Sequence, residues 1–133
     1  MLVDGAAVGV LDEPGLVVLL GVTHDDTAED AERLAAKIVR LRIMRGEKSV
    51  DEVGAGVLAI SQFTLFADTR KGRRPTWGAA APGPVAEPLY DAFCAAIEER
   101  GVTVARGVFG ADMAVELVND GPVTILMDSR SDS

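Results

Sequence analysis

Two short polar stretches interrupt apolar segments of this chain, and their side chains are the ones best suited to chemistry. The first is Ser61-Gln62-Phe63-Thr64-Leu65, which follows the apolar run 57–60. Glutamine offers donors and an acceptor, and threonine offers a hydroxyl. In a pleated strand, Gln62 and Thr64 would share one face and could point together into a cleft. The same pattern also fits a half-exposed edge strand without a function, so periodicity leaves both interpretations open.

The second interruption is Asn119-Asp120-Gly121-Pro122-Val123-Thr124, between two apolar segments. Gly121 permits backbone dihedrals that other residues avoid. Pro122 fixes its own φ and allows a cis peptide bond, which is rare in proteins. A Gly-Pro step therefore exposes carbonyl oxygens that no side chain covers. An ordinary turn is the competing interpretation.

The usual catalytic side chains are scarce. His24 is the only histidine and Cys94 the only cysteine, which excludes an internal disulfide and metal sites built on several histidines. His24 lies beside two acids in a predicted loop, where an exposed or capping role is favoured over a Ser-His-Asp arrangement. Cys94 lies on an apolar helix and is predicted to be a core residue. No metal or cofactor is therefore expected.

The charge distribution is uneven. The formal net charge of −8 disfavours nucleic acid as a partner, because the phosphate backbone would be repelled. Four basic residues nevertheless fall within five positions and have no acid among them: Arg70, Lys71, Arg73 and Arg74. This cluster could bind phosphate, or it could be a solvated surface loop.

These residues must be positioned by one domain, because 133 residues with 48% apolar content suit a single core. We predict strands at residues 6–11, 16–22, 57–66, 102–106, 113–118 and 123–127. One helix is predicted to begin near Thr27, with Asp30 as its capping-box partner, and a second to span 84–100 before Gly101. The expected fold is α/β (α+β-like), with two main helices on a mixed or antiparallel sheet over residues 1–128 and a polar tail at 129–133.

The sequence also predicts where the protein acts. No apolar run reaches the ~18 residues that would span a membrane, and the start has no basic region followed by an apolar one. A cytoplasmic protein without a membrane partner is expected.

Taken together, the two polar motifs resemble those of the D-aminoacyl-tRNA deacylase family. That family carries Ser-Gln-x-Thr-Leu and Asn-x-Gly-Pro-x-Thr motifs, and both occur here in the same order. Three further segments are similar to the family, at residues 21–26, 67–75 and 107–111. The resemblance extends over roughly residues 3–128.

The resemblance implies a homodimer whose active sites lie at the subunit interface. It implies hydrolysis of the ester that joins a D-amino acid, or mischarged glycine, to the 3′ end of tRNA. Ser61, Gln62, Phe63 and Thr64 would line the pocket for the terminal adenosine and the aminoacyl group. Gly121 and Pro122 resemble the cis Gly-Pro element that the partner subunit inserts to reject L-amino acids. The basic loop from Arg70 to Arg74 becomes a candidate tRNA contact.

An aminoacyl ester is already activated, which fits the shortage of acid–base groups. Backbone N–H groups near Phe63 and Thr64 could stabilise the oxyanion, with water as the nucleophile and the ribose hydroxyl assisting. Thr64 as a covalent nucleophile ranks lower, because no base is evident to activate it.

The chain departs from the family at its start. Members usually begin with a further strand that includes a Gln-Arg-Val segment, whose arginine helps to fix the Gly-Pro element, and no counterpart is visible here. Two alternative functions therefore stay open. One is an editing module that removes a wrong L-amino acid, similar to the editing domain of archaeal threonyl-tRNA synthetase. The other is a catalytically impaired, N-terminally shortened relative that only binds tRNA.

Overall fold

The computed structural model describes residues 1–121 and 123–130. In chain order its elements are β1 (Leu2–Val3), β2 (Ala6–Ala7), β3 (Leu16–Leu20), α1 (Ala28–Arg40), α2 (Val50–Val53), β4 (Val57–Ser61), a 3₁₀ turn (Phe63–Phe66), α3 (Gly83–Glu98) and β5 (Val104–Arg106). β1 and β2 form an antiparallel hairpin, and β3, β4 and β5 form a parallel sheet in that order. The α/β fold class is confirmed. Among the described strands the three-stranded sheet is parallel, and antiparallel pairing occurs in the hairpin and in isolated bridges such as that between Leu2 and Ala114.

Strand β4 is the centre of the molecule. Its residues from Val57 to Ile60 are all buried, because helices cover one face of the sheet and the N-terminal hairpin region covers the other. A strand buried on both faces is expected to be continuously apolar. β4 pairs with β3 in a register that ends at Leu20↔Ser61. The carboxyl ends of these two strands therefore lie side by side.

Both long helices lie on the same face of the sheet. The strand order β3–β4–β5 steps in one direction, and right-handed crossovers then place α1 and α3 together, where they pack against each other. The fully buried side chains of Phe93 and Ile97 on α3 join Val57 and Ala59 in the main core. Cys94 is buried beside them, as predicted, and burial raises the pKa of its thiol.

Helix α1 begins as the sequence predicts. The Asp30 amide donates to Thr27 Oγ1 (3.3 Å), and the Thr27 amide donates to Asp30 Oδ2 (3.0 Å), which completes a capping box. The hydrogen bond from the Thr27 amide lowers the pKa of the Asp30 carboxyl, and a carboxylate is also favoured at the positive end of a helix.

The opposite face of the sheet is only half covered. Leu58 and Ile60 on β4 pack with Met1 in a second buried cluster. The register places Val17 and Leu19 of β3 beside them, yet these two side chains are exposed. A single chain thus leaves part of an apolar sheet face open to water.

The strands predicted at 113–118 and 123–127 do not form in the single chain. Of their described residues only Ala114 is bridged: its N–H donates to the Leu2 carbonyl (2.9 Å), and its carbonyl accepts from the Leu2 N–H (2.7 Å). Val118 is 90% exposed and Leu126 is 87% exposed. These segments have apolar side chains typical of strands, but a strand also needs a neighbour, and within the described residues the bridge from Ala114 to Leu2 is the only pairing that they make.

Other predicted boundaries shift by smaller amounts. The strand predicted at 6–11 shortens to Ala6–Ala7, and those at 16–22 and 102–106 shorten to Leu16–Leu20 and Val104–Arg106. The helix predicted at 84–100 is Gly83–Glu98, and the segment between α1 and β4 contains the short helix α2. Within residues 1–121 and 123–130, no helix is long and apolar enough to cross a bilayer.

Candidate active site

The first polar motif lies at the carboxyl end of β4, where open α/β sheets bind their ligands. The strand predicted to continue to Phe66 ends at Ser61, and Phe63–Phe66 is a 3₁₀ turn. The Gln62 amide makes the last bond to β3, donating to the Leu20 carbonyl (2.8 Å). The chain then turns over Gly21, where a Cβ atom would lie only 3.0–3.1 Å from the Phe66 ring and the Leu65 Cβ.

Gln62 and Thr64 are in contact, but the reason differs from the one predicted. The pleated face that they were expected to share is absent, because both lie beyond the end of the strand. The turn instead allows Gln62 Nε2 to donate to Thr64 Oγ1. Both side chains are half-buried, so the amide and the hydroxyl form one polar unit beside the turn.

The backbone of the turn has free donors. The first N–H groups of any helix lack partners within that helix. Leu65 N donates to the Gln62 carbonyl (3.2 Å) and Ala67 N to the Thr64 carbonyl (3.2 Å). For the N–H groups of Phe63 and Thr64, the described residues provide no acceptor. Two adjacent donors are thus available to a ligand.

An aromatic pair flanks this turn. The rings of Phe63 and Trp77 meet edge to face, with centroids 5.4 Å apart and planes at 80°. Phe63 is 54% exposed and Trp77 is 39% exposed. Sequence reasoning did not single out Trp77, because a lone tryptophan in a polar loop carries no periodic signal.

The loop that carries Trp77 is fastened to the end of β3. Thr23 Oγ1 donates to the Ala79 carbonyl (2.5 Å), and His24 Nε2 donates to the Gly78 carbonyl (2.7 Å). The exposed position predicted for His24 is confirmed. Its ring holds the loop in place, and within the described chain it contacts no catalytic partner.

The basic cluster lies on the same loop, but its four members differ. Arg70 donates to both carboxylate oxygens of Asp68, the shortest distance being 2.7 Å from Nη2 to Oδ2. These bonds lower the pKa of Asp68 and raise that of Arg70. The other three, Lys71, Arg73 and Arg74, are exposed, and no ion pair involves them within the described residues. The cluster therefore presents three unneutralised charges.

The described residues of the second polar motif are exposed and are held by hydrogen bonds. Asn119 Nδ2 donates to Thr124 Oγ1 (3.0 Å), and the Val123 amide donates to Asn119 Oδ1 (3.3 Å). Asp120 accepts two hydrogen bonds from Arg45, at 2.6 and 3.1 Å. Arg45 was not predicted to take part, since an ion pair spanning 75 positions has no local sequence signature. Gly121 lies between these bonded residues, whereas Pro122, and with it the cis bond that the family resemblance implies, lies outside the described residues.

The two motifs are not joined within one chain. Across the described residues, no hydrogen bond or ion pair links residues 61–64 with residues 119–124. The first motif faces the Trp77 loop, and the second is held by Arg45.

Comparison with known proteins decides the family. The sequence profile described as D-Tyr-tRNA(Tyr) deacylase matches residues 1–128. The chain belongs to this family. Its membership among the D-aminoacyl-tRNA deacylases, predicted from the two motifs, is confirmed, and with it the prediction of an ester hydrolase.

Two D-aminoacyl-tRNA deacylases are similar to this chain over nearly its whole length. A D-aminoacyl-tRNA deacylase of Kineococcus radiotolerans is 63% identical over 127 residues, which is 96% of this chain and 90% of that protein. One from Beutenbergia cavernae is 64% identical over 129 residues, covering 97% and 92%.

Two solved structures are similar in architecture. A protein described as c-Myc DNA unwinding element binding protein superposes with a TM-score of 0.85 at 34% identity, covering 96% of this chain and 90% of that one. A probable eukaryotic D-amino acid tRNA deacylase gives a TM-score of 0.65 at 18% identity, covering 72% and 75%. The second likeness supports the fold alone.

Proposed function

We propose that this protein hydrolyses the ester of D-aminoacyl-tRNA, and that of mischarged glycyl-tRNA, releasing the free amino acid and tRNA. The observation that carries the proposal is the pair of free N–H groups at Phe63 and Thr64, beside the Gln62–Thr64 unit. An ester is activated enough to need oxyanion stabilisation more than acid–base help. The direct test is release of D- and L-tyrosine from their tRNA esters.

In the proposed mechanism, the ester carbonyl lies against the turn that follows Ser61. As water attacks the carbonyl carbon, negative charge develops on the carbonyl oxygen, and the N–H groups of Phe63 and Thr64 stabilise it. Gln62 and Thr64 hold the aminoacyl group and the terminal ribose by hydrogen bonds. Collapse of the intermediate returns the ribose oxygen as the leaving group, which takes a proton from water or from the neighbouring ribose hydroxyl.

Selection between D and L amino acids is assigned to Gly121 and Pro122 of a second subunit. Their carbonyl oxygens would bind the α-amino group, so that an L side chain points into the backbone and a D side chain points away. This is specificity by exclusion. Glycine has no side chain to exclude, and its ester would be accepted. The hydrogen bonds from Arg45 to Asp120 and from the Val123 amide to Asn119 support the proposal, because a backbone that excludes L side chains sterically must be held in a fixed position.

A homodimer is part of the same proposal, since each pocket would need two subunits. The exposed apolar side chains on the open sheet face and in the segments that flank the second motif are Val17, Leu19, Leu117, Val118, Val123, Ile125 and Leu126. Apolar surface of this kind is typical of protein interfaces. A second copy would cover it and supply the strands with neighbours. Since charged tRNA is made and used in the cytoplasm, that is the proposed location.

The role of Thr64 can be tested by removing its hydroxyl. We expect Thr64→Ala to keep kcat/KM for D-tyrosyl-tRNA within about tenfold of the wild type, because water and backbone donors perform the reaction. Loss of a covalent nucleophile would cost on the order of 10⁴-fold or more. A loss of that size in Thr64→Ala, with a normal melting temperature and recovery in Thr64→Ser, would instead make the hydroxyl the nucleophile.

The basic loop is proposed to contact tRNA phosphates, and its members are expected to contribute unequally. Replacing Lys71, Arg73 and Arg74 by Gln should flatten the plot of log binding constant against log salt by about 2, since each phosphate contact contributes ~0.7–0.9. Arg70→Gln is the matched control, with a smaller change expected because Asp68 already neutralises Arg70. An unchanged slope in the triple variant would mean that the loop does not contact tRNA phosphates.

A further inference from the structure

Trp77 is an exposed aromatic side chain that has no role in the proposed reaction. It is the only tryptophan of a chain in which aromatic residues make up 5%, and it lies on a polar loop outside the buried clusters. Its ring leans on Phe63, the central residue of the first motif. More than a third of its surface remains exposed.

The backbone on both sides of Trp77 is held firmly. Before it, Asp68 and Thr76 exchange two hydrogen bonds, at 2.8 and 2.9 Å. After it, Ala80 N donates to the Trp77 carbonyl (3.0 Å), and the next two carbonyls are bound by His24 and Thr23. The indole ring is therefore displayed from an anchored loop, and little conformational entropy is lost when a ligand packs on it.

The surroundings point to a nucleobase. Arg73 and Arg74, four and three residues before Trp77, are exposed, and the free N–H groups of Phe63 and Thr64 lie at and next to its aromatic neighbour. Proteins that bind single-stranded nucleic acid combine aromatic rings, on which bases stack, with cations that contact the backbone. A purely apolar partner would form no ion pairs with these two arginines.

We propose that Trp77, supported by Phe63, is a stacking platform for an unpaired base of the tRNA 3′ end. The inference rests on the proposed function, because it takes tRNA as the substrate. Stacking would hold the single-stranded end of tRNA while the ester lies against the turn. Trp77 is thus a binding residue that acts on the nucleic acid and not on the amino acid.

Because Trp77 is the only tryptophan, its fluorescence reports binding directly. We expect the RNA trinucleotide CCA to quench the fluorescence of the wild-type protein saturably, and an abasic ribose-phosphate trimer to leave it unchanged. Quenching by neither probe would overturn the proposal. So would a fluorescence change that appears on diluting the protein and not on adding CCA, because that result would place a second copy on Trp77.

Kinetics of two variants supply a second, independent readout. Trp77→Ala is expected to lower kcat/KM for D-tyrosyl-tRNA about 5- to 150-fold, the range found for loss of one stacked base. Trp77→Phe, which keeps a ring, should recover most of the activity. Equal activity of wild type and Trp77→Ala would refute the platform. A wild-type protein that binds CCA with quenching but releases no amino acid would leave the platform standing and refute the proposed function.

Discussion

D-tyrosine is expected to leave its tRNA ester about 100-fold faster than L-tyrosine does in the presence of this protein, with glycine released as well. The expected size follows from steric exclusion. Forcing a side chain into packed backbone costs about 1–3 kcal/mol, and each 1.4 kcal/mol changes a rate about tenfold. The measurement is the first-order release of each labelled amino acid from its tRNA, corrected for spontaneous hydrolysis.

Three outcomes of this assay separate the competing functions. Selective release of D-tyrosine supports the chirality proposal. Equal or faster release of L-tyrosine would favour an editing module for wrong L-amino acids. No release by a folded dimer that still binds tRNA would leave only the catalytically impaired relative.

A charged residue at Leu126 is expected to separate the subunits and abolish deacylation. Leu126 is 87% exposed in the single chain, so Leu126→Glu removes no internal packing and should leave the monomer folded. In a dimer the carboxylate would be buried without a partner, which costs several kcal/mol. Because each pocket is proposed to need Gly121 and Pro122 of the other subunit, a monomer should lose at least about 100-fold in kcat/KM, the cost of a few kcal/mol.

The variant needs a matched control and two readouts. Val85→Glu places the same charge on another exposed apolar side chain, in the first turn of α3, where a carboxylate suits the helix dipole. Sedimentation should give a monomer for Leu126→Glu and a dimer for Val85→Glu, with circular dichroism unchanged in both. A monomeric Leu126→Glu protein with full activity would refute the shared pocket, and a persistent dimer would place the interface elsewhere.

Local sequence signals predicted the helices and the central strand well. Thr27 and Asp30 form the capping box that their spacing indicates, and the apolar run 57–60 is the buried strand. These elements depend on neighbours a few positions away. Their type was therefore accessible from the sequence. The helix boundaries moved by a residue or two, whereas the central strand, predicted to reach Phe66, ends at Ser61.

The details of the candidate site depend on contacts between distant residues, and these were less accessible. Alternation across Gln62 and Thr64 fits a strand as well as a turn, and the sequence does not show that Phe66 packs closely over Gly21, as it does in the folded chain. The apolar segments near Val118 and Leu126 have the side-chain pattern of strands. Strand formation also needs a pairing partner, and local sequence does not reveal whether one is present. The pairing of Arg45 with Asp120 joins two loops that have no shared pattern.

The half-covered sheet also bears on colloidal behaviour. A single chain offers apolar side chains and unpaired extended backbone at once, which together form a template for indiscriminate association. The net charge of −8 opposes this, since like-charged copies repel one another at every orientation. Only a contact that buries enough apolar area can overcome the repulsion. Surface charge would thus permit the one well-fitted contact between subunits and oppose looser, nonspecific aggregation.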